Sequence, residues 1–206
     1  MTIAAPAVES PAPPVPGGKP APPAAWVVLI GGLIGLVASV TLTVEKIRLL
    51  SDSAYVPSCN LNPVLSCGPV MATPQASVLG FPNPLLGIVA FTVVAVSGVL
   101  AVTKVPLPRW YWVGLAVGTL AGAGFVHWLI FQSLYRIGAL CPYCMVVWAV
   151  TMVLLVIFAA FAFRPAGVPE NSQLLHRWRW TLLAVWFVAL FLLIFLRFQD
   201  YWLTLI

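Results

Sequence analysis

LCPYCMVVWAVTMVLLVIFAAFAF, residues 140–163, runs its whole length without one charged side chain. A bilayer core takes about 20 consecutive apolar residues per helical span, so this stretch is long enough to cross it. It also opens with two cysteines three positions apart, at the point where the helix would leave the membrane. Four further apolar runs have the same character, residues 25–44, 84–103, 110–134 and 180–197, each bounded by charge, Pro or Gly. The chain is 62% hydrophobic and 7% charged, against roughly a quarter charged in ordinary soluble domains. No water-facing surface can be built from so few charges. The expected fold is an all-α integral membrane protein: a bundle of four transmembrane helices plus a fifth.

Residues 1–24 are rich in Pro and Ala, with Glu9 and Lys19 their only charges. Such a segment buries too little to hold a helix and is expected to be a disordered tail, leaving 25–206 as one membrane domain. It lacks the basic start of a cleavable signal peptide, and the run after it is too long for a signal core, so the first span is expected to stay in the mature protein. The connections at 104–109 and 135–139 are short, and the former is expected to make spans two and three an antiparallel hairpin. The one long connection, 45–83, holds Cys59 and Cys67.

Lys and Arg favour the cytoplasmic side of a membrane. A cytoplasmic N-terminus puts Lys19, Lys104, Arg109, Arg164, Arg177 and Arg179 inside and Lys46, Arg48, Arg136 and Arg197 outside. All four cysteines then face the extracytoplasmic side, where disulfides persist. The net charge of +5 comes from basic residues scattered singly at span ends, not in a stripe that tracks phosphates, so a nucleic-acid partner is not expected.

Cys141 and Cys144 form a Cys-Pro-Tyr-Cys motif at the start of the fourth span. Three-residue spacing puts both sulfurs on one helix face. Near a helix N-terminus, free backbone N–H groups and the helix dipole favour a thiolate, and Pro142 fits there because it lacks an N–H to satisfy. Two pairs, one at a helix start, point to thiol–disulfide exchange. The alternatives are a zinc site built from all four thiolates, for which seven residues between Cys59 and Cys67 is a wide spacing, and a static loop disulfide beside two buried thiols. No Ser-His-Asp set, phosphate-binding glycine loop or catalytic carboxylate pair can be assembled.

Cys59-Asn-Leu-Asn-Pro-Val-Leu-Ser-Cys67, the following Gly68-Pro-Val-Met-Ala-Thr-Pro-Gln-Ala-Ser77, the Gly80-Phe-Pro-Asn-Pro84 entry to the second span and Cys141-Pro-Tyr-Cys144 together resemble the vitamin K epoxide reductase family in its bacterial, disulfide-forming branch. The resemblance covers roughly residues 25–163 in order and spacing. It implies a four-helix bundle around a quinone, either menaquinone or ubiquinone, with a fifth helix added, in the bacterial inner membrane. It also implies a loop pair, Cys59 and Cys67, that takes electrons from a thioredoxin-fold, DsbA-like periplasmic partner. By the same match, Cys67 bridges transiently to Cys141, and Cys144 is the sulfur nearest the quinone. Thr73 occupies a Ser/Thr position of the family, and Asn83 matches an asparagine that hydrogen-bonds a quinone oxygen. Many members carry a fused thioredoxin domain. This chain ends at Ile206, so its partner is expected to be a separate polypeptide.

At Trp148 the animal enzymes have a tyrosine that contacts the quinone. An indole N–H donates but cannot accept, which argues against a quinone-epoxide reductase, the alternative enzymatic reading. His127, ionisable and within a span, is a candidate for handling quinone protons; its alternative is an imidazole bonded between helices. Gly114, Gly118 and Gly122 recur at every fourth position and are expected to serve close helix packing. Residues 69–79 are expected to form either a short interfacial helix capping the quinone pocket or an irregular loop.

Overall fold

The computed structural model describes residues 22–52, 54–162 and 170–204. Most of the expected N-terminal tail, residues 1–21, lies outside the described residues, as does Arg164. Among the described residues seven α-helices follow in chain order: α1 (Pro22–Ser51), α2 (Cys67–Met71), α3 (Pro84–Val102), α4 (Arg109–Phe131), α5 (Pro142–Ala162), α6 (Glu170–Arg197) and α7 (Gln199–Leu203). Five of them, α1, α3, α4, α5 and α6, are long and apolar enough to cross a membrane. Without water in a bilayer core, backbone groups must be satisfied within the segment, and a helix does this for any apolar side chain. Val89, Val96, Val117, Leu120, Phe191 and Leu196 point outward, as suits lipid rather than water.

Helix α1 begins three residues before the expected boundary at position 25 and continues seven residues past Val44, to Ser51. Charge did not end it, because Glu45 and Lys46 are good helix formers and both find partners on the loop above. Helix α4 passes into a π-helical turn, Gln132–Ile137, and stops at Gly138, whose φ of 72° lies in the left-handed region that glycine adopts without strain. Residues 69–79 resolve into helix α2 and a 3-10 turn, Pro74–Ser77.

Helix α1 packs along α3 and α5, and α4 along α5, with α6 against the outside of α5. The α1–α3 approach is close: a methyl group at Gly32 would strike the Ala95 backbone, and one at Gly98 the Leu29 backbone. A core of Val28, Phe91, Trp112, Leu154 and Phe158 joins the four inner helices. Although α3 and α4 are consecutive, they make little direct contact. Ser97 and Tyr111 join them by a 2.7 Å hydrogen bond near the connecting turn, and toward the cysteine end a cavity separates them.

The glycine stripe of α4 therefore departs from expectation. A methyl group at Gly114 or Gly118 would meet nothing within 4 Å, and one at Gly122 only the Thr151 methyl at 3.9 Å. All three line the cavity. The spacing that normally lets two backbones touch here leaves an open slot, because the facing helix is held away.

Candidate redox site and apolar cavity

The loop carrying the first cysteine pair is folded by its own asparagines. Asn62 Oδ1 accepts the backbone N–H groups of Val64 and Leu65, at 3.0 and 2.7 Å, an Asx turn that reverses the chain. Asn60 Oδ1 accepts from Ser66 Oγ and from the Gly68 N–H, both at 2.9 Å, and so satisfies a free N–H of α2. The two reversals bring Cys59 and Cys67 together, with Cα atoms 5.6 Å apart in a closed disulfide.

This loop does not swing free. The Ser66 N–H donates to the Leu140 carbonyl and the Leu140 N–H to the Val64 carbonyl, each at 2.8 Å, making a parallel bridge between Leu65 and Leu140. Two residues past Leu65 and one past Leu140, Cys67 Sγ lies 3.1 Å from Cys141 Sγ. Both cysteines are fully buried, whereas Cys59 keeps 5% of its surface. Cys141 and Cys144 are free thiols.

Cys141 precedes Pro142, the first residue of α5, and so occupies the capping position of that helix. A hydrogen bond from the Cys144 thiol holds the Cys141 thiol below its ordinary pKa, burial opposes this, and the Cys144 and Tyr143 backbone N–H groups add to the lowering. Cys144, one turn in, lines the cavity.

The cavity encloses about 710 Å³. Along α4 its lining runs from Trp110 to Leu129, which at about 1.5 Å per residue is roughly 28 Å. The walls are mostly apolar. Lys46, Thr73, Gln75, Asn83, Gln132, Ser133 and Cys144 contribute polar groups at the cysteine end, and Ser39, Tyr111, Thr119 and Thr151 lie further along the walls. Thr73, Asn83 and Trp148 thus all line it, as does the 67–77 segment through Val70, Met71, Gln75 and Ala76. Asn83 also ties this cap: its Nδ2 donates to the Gln75 carbonyl at 2.7 Å and its Oδ1 accepts the Val78 N–H at 3.1 Å, leaving one N–H and one lone pair for another partner. Thr73 Oγ1 donates to the Val70 carbonyl at 2.8 Å and can still accept. Trp148 is buried among Val126, Ile130 and Leu140.

His127 departs from the expectation of a quinone contact. It does not line the cavity. Its Nδ1 lies 2.7 Å from the Ala123 carbonyl, and its Nε2 accepts the Trp186 indole N–H at 2.8 Å, so the ring faces α6 and joins it to α4.

Two functional candidates escaped the sequence reading, which took α1 to end before them. Glu45 accepts from Ser58 Oγ at 2.6 Å, from Tyr55 Oη at 2.8 Å and from the Ser58 N–H at 3.4 Å, fastening the chain just before Cys59. Lys46 Nζ donates to the Met71 carbonyl at the end of α2 and lines the cavity. Both are buried. The available signal was an acid and a base in direct succession at the end of an apolar run, in a chain with so few charges.

The arrangement offers a thiol–disulfide contact in which two sulfurs already touch, backed by a second thiol open to an apolar chamber. With Cys59 and Cys67 joined, two thiols remain for a metal, and no group of three or more His, Cys, Asp or Glu positioned to hold one occurs among the described residues. A model of the vitamin K epoxide reductase family matches residues 26–159. None of the curated proteins matches the chain.

Proposed function

The chain belongs to the vitamin K epoxide reductase family, and from that premise we propose that it is a quinone-linked thiol oxidase that re-oxidises a separate thioredoxin-fold, DsbA-like partner. Membership makes it a membrane thiol oxidoreductase, and proteins of the family use quinones in general. One observation carries the finer reading: Cys67 and Cys141 are 3.1 Å apart while Cys144 opens on the cavity, so the two pairs form one line from loop to chamber.

A partner thiolate attacks Cys59, the less buried loop sulfur, and displaces Cys67; the partner's second thiol then releases Cys59, leaving a partner disulfide and a loop dithiol. Cys67 attacks Cys141 of the closed Cys141–Cys144 disulfide and frees Cys144, and Cys59 resolves the bridge by attacking Cys67. The loop is now oxidised and the motif reduced, which is the arrangement of the present structure. Exchange conserves disulfides, so two electrons and two protons must still leave Cys141 and Cys144.

A quinone supplies the acceptor for them. The residues fit such a group: apolar α3 and α4 walls would take the ring and an isoprenoid tail, and Asn83 and Thr73 retain hydrogen-bonding capacity that quinone oxygens could use. Trp148 contributes a flat apolar wall, and Cys144 brings the thiol. The bias of Lys and Arg supports a cytoplasmic N-terminus, with the cysteines on the periplasmic side of a bacterial inner membrane.

The test is rescue of a bacterial strain lacking its disulfide oxidase, with wild type compared against Cys59→Ala, Cys67→Ala, Cys141→Ala and Cys144→Ala. Loss of rescue in all four is expected. Rescue that persists without Cys59 and Cys67 would overturn the two-pair relay.

A further inference from the structure

Lys46 is the single charged side chain among the residues lining the cavity. It keeps 8% of its surface, and lysine is seldom this buried unless something answers its charge. Among the described residues its one hydrogen-bond acceptor is the Met71 carbonyl, which leaves two of three N–H donors. The adjacent carboxylate does not serve it, since both oxygens of Glu45 accept from Tyr55 and Ser58. A carbonyl could be held equally well by a neutral donor, without the desolvation cost of an ammonium. The charge thus sits beside the chamber that also exposes the Cys144 thiol, with no carboxylate paired to it among the described residues.

Resting on the quinone-linked reading above, we propose that Lys46 is a further catalytic residue, which donates a hydrogen bond to a quinone oxygen and stabilises the negative charge that gathers there. When Cys141 and Cys144 close their disulfide, two electrons leave the sulfurs and two protons leave the thiols, and both pairs end on the quinol. Electrons and protons need not arrive together. A fixed cation in a site with apolar walls lowers the cost of the interval, and Lys46 keeps its charge throughout. The α1 extension past Val44 acquires a purpose in this scheme: it carries the ammonium from the span end to the cap of the chamber.

The experiment uses the full chain in nanodiscs, with decylubiquinone as acceptor and dithiothreitol as donor. For Lys46→Met, which keeps length but loses charge and donors, kcat for decylubiquinone reduction is expected to fall on the order of 10²-fold. In a Cys144→Ser background that cannot turn over, quenching of tryptophan fluorescence should report roughly tenfold weaker decylubiquinone binding for Lys46→Met. Lys46→Arg should restore most of both losses. Exchange between the two cysteine pairs, followed without quinone, should stay within about twofold of wild type, because the cation acts after it.

Wild-type turnover and binding in Lys46→Met would overturn the proposal, as would an internal exchange slowed as much as turnover, which marks Lys46 as a strut for α2. If Lys46→Met fails to insert, Lys46→Gln, which loses the charge and keeps N–H donors on a shorter side chain, is read by the same criteria. A wild-type chain that reduces no quinone defeats the functional reading along with this one, whereas an active wild type matched by Lys46→Met defeats this one alone.

Discussion

Leu65 pairs with Leu140 through two 2.8 Å backbone hydrogen bonds made by their neighbours and by Leu140 itself, and this short bridge, not a mobile arm, is what sets Cys67 against Cys141. In a Cys59→Ala/Cys144→Ala double variant the two remaining cysteines should therefore form a disulfide with each other on mild oxidation, seen by mass spectrometry of the non-reduced chain. Adding Leu140→Pro, which removes one of the two N–H donors, should reduce the yield severalfold. An undiminished yield would mean that the bridge does not hold the sulfurs in place.

Cys141 in the dithiol state has a lowered pKa, so at a given pH more of it is thiolate than of an ordinary cysteine, and its ionisation midpoint lies below that of an ordinary thiol. Thiolate absorbance, which needs no access to the buried sulfur, should show this midpoint on titration from acid to base. Cys144→Ala removes the largest lowering influence and should move the midpoint upward. A midpoint unchanged by that substitution would refute the role given to the Cys144 thiol.

The α4 glycines separate packing from function. Gly118→Leu places its side chain where nothing now lies within 4 Å of the Cβ position, so thermal stability in micelles should hold while quinone reduction falls at least tenfold as the slot fills. Gly32→Ala should do the reverse. Its methyl meets the Ala95 backbone, and overpacking of this kind costs about 1–3 kcal/mol, with electron transfer retained in the molecules that stay folded.

Glu45→Ala removes three hydrogen bonds that fasten the Tyr55–Ser58 segment. Bonds to a charged group contribute about 1.5–3 kcal/mol each when shielded, and partial exposure of the segment places the expected loss near the lower end for the set. The released segment should let dithiothreitol reduce the Cys59–Cys67 disulfide severalfold faster, measured by quenched alkylation. An unchanged reduction rate would show that Glu45 does not govern access to Cys59.

His127→Gln should leave quinone turnover near wild type, since the ring lies off the cavity and is bonded to Trp186 and Ala123. The effect is expected instead as faster proteolysis around α6. A turnover defect with α6 still protected would return His127 to the site.

The spans, their order and the two cysteine pairs were legible because each rests on a local property: run length for the helices, and three-residue spacing at a helix start for Cys141 and Cys144. Thr73, Asn83 and Trp148 were reached by resemblance and do line the chamber. What the sequence hid is relational. Gly114, Gly118 and Gly122 look the same whether a neighbouring helix presses on them or stands away, and only the separation of α3 from α4 decides it. Lys46 was hidden by the rule that charge ends a span, which fails when the charge has a partner above the membrane plane. The loop looked free because its anchor, Leu140, lies far along the chain.

Burial of Cys67 and Cys141 down to zero exposure has a consequence for leakage. A diffusing small thiol has no line of approach to their junction, and of the two loop sulfurs it can meet only Cys59. The molecule is in that sense a conductor whose middle contact is insulated, so a stray reductant cannot break in between its two ends.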